Sequence, residues 1–397
     1  MSRNANRFVI IIFICCIFMI PILTVARRGE DISFYENRTK AALPKVEMQT
    51  VLNGTFFSGI DAAVSDRICF RDDLIKLNTS LDLLLDRPVV NEYVASSSAL
   101  INFHGYMTWS TEFLGNEAAA VVDGITRIHD VIRSYGGYFV YVGLPQQYTY
   151  FASDYPVYMD DRLWNTEAIR AAFSTEMASR QIPFIDMNAK YRSLGQLPEY
   201  YFTTDHHYSY QGAFIAYQTI LEQIRGATGF DIPDLVDADV DFITLPNPFL
   251  GSGNRALYGA WKKTDLLQIA EMRRPIDFVR FDNGVQVDSV VYALPQNETE
   301  RISYSVYMGG DVGETVIKTG RSQLPSVLIL GESFTNALET LIWTGFNETR
   351  SLDFRYNEDV SLQEYILEYK PDVVICVKDE GTYLDKVSNG YFFTAQD

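Results

Sequence analysis

Histidine and cysteine are both scarce in this chain, at four each in 397 residues. The cysteines are Cys15, Cys16, Cys69 and Cys376, and no pair or group has metal-ligand spacing, which excludes a zinc ribbon or finger. They are also too few for a disulfide framework. Cys376 sits in the apolar run Val373-Val374-Ile375-Cys376-Val377, so a buried thiol is expected rather than a bridge. Basic residues are short as well: 33 Lys and Arg stand against 51 Asp and Glu. The four arginines before residue 29 have no acid among them, so a net charge of −18 becomes −22 for the remainder. That balance argues against nucleic-acid binding, which needs a basic footprint, and against wide contact with anionic lipid. No internal repeat or low-complexity tract is present, and no cofactor is implied.

Apolar material is plentiful, at 47% hydrophobic and 14% aromatic, enough for a large core. Phe8 to Ala26 is an apolar run broken only by Pro21 and Thr24. At helical rise it reaches roughly 28 Å, about one hydrocarbon core. Thr24-Val25-Ala26 is a weak cleavage site, so an uncleaved signal anchor is expected over a signal peptide. Arg3 and Arg7 precede the run and Arg27 and Arg28 follow it. Either reading exports the rest, and the anchor reading gives a single-pass cell-membrane protein with its bulk extracytoplasmic. Five Asn-x-Ser/Thr sequons (Asn37, Asn53, Asn78, Asn297, Asn347) matter only in a host that glycosylates exported chains.

Expected domains are a cytoplasmic tip and anchor (1–28), a juxtamembrane segment and helical region (29–95) and an α/β domain (96–397). Residues 60–90 read as helix, with Ile60, Val64, Ile68, Leu74, Leu77, Leu81 and Leu84 near helical spacing. Asn116 is placed to cap a helix over 117–134. Strands follow at Tyr138 to Leu144, Pro183 to Asp186, Val327 to Leu330 and Val373 to Val377. Helices are expected over 168–180, 211–225, 335–342 and 361–370. The alternation implies a mostly parallel sheet covered by helices. Residues 228–325 interrupt it as a β-rich insertion, with strand-like stretches at 278–281, 285–292 and 302–308.

Thr204-Asp205-His206-His207-Tyr208 puts an acid beside two of the four histidines. In an extended segment Asp205 and His207 share a face while His206 points away. Asp205 can then orient the His207 imidazole and stabilise its charged form. The plainer reading is a turn or a helix N-cap. Ser333, in Leu330-Gly331-Glu332-Ser333-Phe334, follows a strand and precedes a helix, where a nucleophile is presented at the carboxyl end of a parallel sheet. Gly331 permits the turn, but the second glycine of G-x-S-x-G is missing. Ser333 as a simple helix cap is the plainer alternative. Metal binding by the Asp-His-His triplet needs further ligands, and only His104 and His129 remain. His129 falls on a helix face between Ile125 and Ile132, so metal is not expected. Gly331, Gly309, Gly310, Gln146, Gln147, Asn336, Tyr208 and His206 are the substrate or oxyanion candidates; a hairpin turn is the alternative for Gly309-Gly310 and a solvated loop for Gln146-Gln147.

With these pieces in order, the chain resembles the DHHW protein family, which is similar to the SGNH-like O-acetyltransferases of exported polysaccharide, the alginate type among them. The resemblance covers most of 34–385. It is carried by Phe34-Tyr35-Glu36-Asn37-Arg38, Phe70-Arg71-Asp72, the Asp205-His206-His207 element, Tyr304-Ser305-Val306-Tyr307-Met308-Gly309-Gly310, Gly331-Glu332-Ser333-Phe334-Thr335-Asn336 and Leu352-Asp353-Phe354-Arg355-Tyr356. Tyr208 stands where the family has Trp. Glu332 and Phe334 replace Asp and Tyr, and Asp311 stands where Asn is usual. The resemblance implies an SGNH-hydrolase-like α/β fold and a Ser333, His207, Asp205 triad. It further implies an acetyl-serine intermediate, a polysaccharide or glycan substrate, and a multispanning membrane acyltransferase as partner. A non-catalytic envelope glycan-binding or assembly protein, or a carbohydrate deacetylase, are the alternatives.

Overall fold

The structure, a computed structural model, describes residues 3–26, 31–102, 111–159, 163–236, 238–357 and 361–385. The chain forms two compact units. The first comprises Met1–Asn91 with Asn254–Lys262, and the second Glu92–Gly253 with Lys263–Asp397.

In the first unit a single apolar helix, Arg3–Ala26, contains an 18-residue stretch with mean hydropathy 2.7. It is compatible with a single-pass anchor or a signal sequence. The expected helix over 60–90 is instead two, Thr55–Arg67 and Arg71–Leu84. The break falls at Phe70, whose φ of 64° is left-handed and cannot continue a helix. Glu36, Arg71 and Tyr258 meet in this unit: the Arg71 guanidinium is 2.6 Å from Glu36 and 3.1 Å from the Tyr258 hydroxyl.

The second unit is built on eight strands: β1 Tyr138–Leu144, β2 Phe184–Asp186, β3 Val279–Asp282, β4 Val285–Val287, β5 Glu314–Lys318, β6 Ser326–Gly331, β7 Glu348–Asp353 and β8 Val373–Asp379. Their spatial order is β4-β3-β5-β7-β6-β8-β1-β2. From β7 to β2 all neighbours are parallel; β5, β3 and β4 extend the sheet antiparallel. The central strands are apolar along their length because both faces are covered. Phe139 and Tyr141, Leu328 and Leu330, Val374 and Cys376 face the helices Thr111–Ser134, Leu163–Ser179 and Leu362–Tyr369. The opposite face packs the helix Tyr210–Thr228, which also meets Asn336–Ile342. This is the mixed α/β class expected, with a largely parallel sheet flanked by helices.

Three expectations change. Asn116 lies inside the helix Thr111–Ser134 rather than capping it, because the helix begins five residues earlier. The insertion is strand over less than expected: of 285–292 only β4 is strand, while β3, β4 and β5 add to the main sheet, where β5 pairs β7 from Glu314↔Leu352 to Lys318↔Glu348, and Val240–Thr244 pairs Gln268–Met272 in a two-stranded sheet. Within it, 302–308 is no strand; Tyr304–Val306 is a turn of 3-10 helix, and Tyr307 keeps a lone bridge to Tyr292. Cys69 and Cys376 are free and buried, and burial pushes the Cys376 thiol up to about 12.

Candidate active site

Parallel strands β6, β8 and β1 all end on the same side of the sheet, where α/β sites form. Ser333 follows β6, Asp379 closes β8, and Gln146 follows β1. Ser333–Thr335 is one turn of 3-10 helix running straight into Asn336–Ile342. Neither helix start carries a side-chain cap bond, so Ser333 is not acting as a cap. The turn needs Gly331: a Cβ there would lie 2.4 Å from Thr335 Cγ2 and 2.9 Å from the Val377 carbonyl oxygen.

The Asp205-His206-His207 loop is shaped by its base and its flank. Tyr201 and Tyr208 form an antiparallel bridge, the Phe202 amide donates to the His207 carbonyl at 3.3 Å, and the Ser209 amide to Tyr200 at 2.9 Å. Asp265 clamps the loop from outside. One of its oxygens accepts from the amide and hydroxyl of Thr203 at 3.0 and 2.8 Å, the other from those of Thr204 at 2.8 and 2.6 Å. The helix after the loop is capped by Ser209, whose hydroxyl accepts from the Gly212 amide at 3.2 Å, so Asp205 is not its cap.

These supports bring three expected residues into line. His207 Nε2 is 2.9 Å from Ser333 Oγ, and His207 Nδ1 is 2.6 Å from Asp205 Oδ1. Asp205 Oδ1 also accepts from the His207 amide at 3.1 Å, and Oδ2 from the Ser252 amide at 2.6 Å. Asp205 is 2% exposed and His207 4%. Burial opposes the charged carboxyl, yet the imidazoles of His207 and His206 and the Ser252 amide outweigh it and hold Asp205 well below the usual range. The His207 ring stacks on Tyr304 at 3.8 Å with 5° between planes, which fixes its rotation. An acid, a base and a hydroxyl in this chain can activate the hydroxyl as a nucleophile.

His206 does not point away as alternation predicted. The loop bends rather than running extended, so its ring lies 3.8 Å from that of His207 and borders the cleft over Ser333. Its Nδ1 is 2.8 Å from Ser252 Oγ. Asp205, His206 and His207 offer donor atoms within 4.8 Å of one another, but both Asp205 oxygens are engaged by His207 and Ser252. His129 is buried against Phe139, and burial lowers its pKa. His104 lies outside the described residues.

The cleft over Ser333 has a volume of about 440 Å³. Tyr93, Asn102, Gln146 and Tyr148 border it on one side, and Glu332, Arg355 and Asp379 on another. Gln146 reaches Asp379 with its side chain. Gln147 also borders the cleft: its Nε2 donates to the Leu100 and Phe202 carbonyls at 2.9 and 3.3 Å, while its buried Oε1 has no hydrogen-bond partner among the described residues. Tyr208 is fully buried and donates to the Phe334 carbonyl at 2.5 Å, bracing the serine turn from below. Asn336 donates to Asp311 at 3.0 Å, and Arg355 holds the same carboxylate at 2.8 Å. Gly309 and Gly310 have φ of +81° and +96°, a left-handed loop; neither borders the cleft among the described residues. Ser252, Asp265 and Tyr304 were not singled out for the site. Each acts across 46 residues or more of chain, and no local pattern signals that.

No protein-family model matches the sequence, and no curated protein does. Solved structures do. PatB1 of Bacillus cereus, determined with a sulfonyl adduct, superposes with a TM-score of 0.61 at 18% identity, covering 73% of this chain and 95% of its own. A DHHW family protein from Eubacterium siraeum superposes with a TM-score of 0.57 at 15% identity, covering 76% and 95%. The O-acetyltransferase domain of Pseudomonas putida AlgJ gives 0.45 at 14% identity, covering 75% and 99%. At these identities the likeness is one of fold, and it is the fold expected of the sequence.

Proposed function

We propose that this chain is a serine acyltransferase or esterase that works outside the cytoplasm, held by its N-terminal helix, and O-acetylates a polysaccharide. The observation that carries the reading is the hydrogen-bonded chain Ser333 Oγ, His207, Asp205, at 2.9 and 2.6 Å. Ser333 attacks the acyl carbonyl while His207 Nε2 takes its proton. The tetrahedral intermediate collapses, the leaving group departs with that proton, and an acyl-serine remains. A sugar hydroxyl then gives its proton to His207 and attacks the acyl carbonyl; the acyl–Oγ bond breaks, Ser333 takes the proton back from His207, and the sugar leaves as its ester, whereas water in its place makes the enzyme an esterase. Asp205 stays ionised throughout and stabilises the imidazolium. The first amides of the Ser333–Thr335 turn lack helical acceptors and are the proposed oxyanion donors. An acyl source is needed on the outer side, and a multispanning membrane acyltransferase is the proposed supplier.

PatB1 has been captured as a sulfonyl adduct, and the same chemistry tests this chain. The full chain in detergent is treated with a sulfonyl fluoride or with p-nitrophenyl acetate, beside Ser333→Ala, and its intact mass is read. One adduct per chain, mapped to Ser333 and missing from the variant, is expected. An adduct or turnover that survives Ser333→Ala overturns the reading.

A further inference from the structure

The acyl-transfer reading leaves the acceptor open, and the charges around the cleft narrow it. Glu332 directly precedes the nucleophile, and Asp379 faces the same space from the end of β8. The two carboxyls repel each other: burial first, and then the charge of Glu332, push Asp379 up to about 6. Two cations stand nearby, and both are committed. Arg355 is held by Asp311 at 2.8 Å and Asp353 at 2.6 Å. Lys378 is buried, 1% exposed at its side chain, with its ammonium 3.3 Å from Glu332. Lys378 is shielded from an incoming anion, whereas Arg355 borders the cleft with 40% of its side chain exposed, its charge met by two carboxylates. The walls facing the ligand carry the carboxylates of Glu332 and Asp379, the amide of Gln146, the rings of Tyr93, Tyr148 and His206, and the paired guanidinium of Arg355. Carboxylates and amides hydrogen-bond sugar hydroxyls and attract ammonium groups, and rings stack on sugar faces. The four carboxylates of Glu332, Asp379, Asp311 and Asp353 stand against the two cations Arg355 and Lys378, so a further negative charge enters a space whose balance is already negative.

We propose that the cleft takes its acceptor from glycans without acidic groups, built of uncharged or amino sugars, and rejects polyuronates and phosphate-bearing glycans, with Glu332 and Asp379 as the discriminating side chains. The inference rests on the proposed acyl transfer for what the bound glycan is used for. The charge selection itself does not need it.

The two are therefore tested apart. Binding is measured on the full-length Ser333→Ala chain in detergent, by calorimetry, with uncharged gluco-oligosaccharides, chitosan oligosaccharides and oligogalacturonates of equal length. The uncharged or amino series is expected to bind at least about tenfold more tightly than the uronates, the scale of one unfavourable charge contact. Adding Glu332→Gln or Asp379→Asn should shrink that gap, and raised salt should shrink it too. Two variants guard against one that misfolds. Uronates that bind as well as the others, or a gap that neither variant changes, overturn the proposal. The acylation arm uses the wild-type chain: no acyl-Ser333 there removes the transferase reading and leaves charge selection to the binding data.

Discussion

Asp205→Asn asks the most of the site, because the carboxylate serves three donors with two oxygens. The His207 amide at 3.1 Å and His207 Nδ1 at 2.6 Å share one oxygen, and the Ser252 amide at 2.6 Å holds the other. Asparagine supplies one acceptor oxygen and an NH2 group. With its oxygen toward His207, two donors are satisfied and the tautomer survives, but the NH2 group meets the Ser252 N–H. The Ser252 N–H and the NH2 group are then two donors face to face, and leaving a buried donor unpaired costs about 1–3 kcal/mol of stability each. With the oxygen toward Ser252, the NH2 group donates to Nδ1. The ring must then carry its hydrogen on Nε2, and it cannot take the Ser333 proton. Even the better orientation loses the carboxylate charge beside the developing imidazolium. At about 4 Å and an effective dielectric of about 20 that charge contributes ~4 kcal/mol. The acylation rate should therefore fall about 10³-fold. The assay is the p-nitrophenol burst from p-nitrophenyl acetate, with thermal unfolding followed in parallel. A fall of less than tenfold in a folded variant refutes the argument that Asp205 works through His207.

Other changes test the supports. Gly331→Ala drives a Cβ to 2.9 Å from the fixed Val377 carbonyl, and an unfolding free energy in urea lowered by about 1–3 kcal/mol together with slowed acylation is expected. Asp265→Ala removes the acceptor of four hydrogen bonds from Thr203 and Thr204. About 3 kcal/mol or more should be lost in chemical denaturation, with partial rescue in Asp265→Asn, which keeps one acceptor oxygen. Asp379 is raised to about 6 in the fold, against about 3.9 when unfolded. Its proton therefore favours the folded state at low pH, and that contribution is lost as pH rises from about 4 through 6. Asp379→Asn should raise stability at pH 7.5 by up to ~3 kcal/mol and change little at pH 4, read from denaturation curves at both. An equal effect at both pH values would count against the raised carboxyl.

What the sequence disclosed was what short-range pattern encodes. Alternating apolar runs and helical spacing marked β1, β2, β6 and β8, because a strand buried on both faces must be apolar along its length. Ser333 and the Asp205-His207 pair were legible because each sits at a recognisable local junction, strand to turn or loop to helix. The side on which His206 lies was misjudged from extended-chain alternation. A loop clamped by Asp265 and closed by the Tyr201–Tyr208 bridge obeys no such period. Asp265 is 62 residues from Thr203, and a contact so distant leaves no periodic trace. The same holds for Tyr304, expected in a strand and found in a 3-10 turn with its ring stacked on His207. The stretch is rich in aromatic and β-branched residues, and propensity yields there to tertiary packing.

Two buried carboxyls at the end of one sheet are pushed in opposite directions: burial raises both, and the charges that each faces decide the outcome. Asp205 is met by two amides and an imidazole, so its charge is held despite complete burial. Asp379 receives the Gly381 amide and the Gln146 side chain but faces the charge of Glu332, and its proton is retained to about pH 6. The environments divide the labour that residue type alone does not. A permanently charged Asp205 suits an electrostatic partner for His207, which never needs to move a proton. Asp379, pushed up to about 6, can accept from and donate to a hydroxyl near that pH and carries its negative charge above it. If that division is right, acylation of Ser333 should be indifferent to Asp379→Asn, while the transfer of the acyl group to a saturable glycan acceptor should be weakened through its acceptor KM.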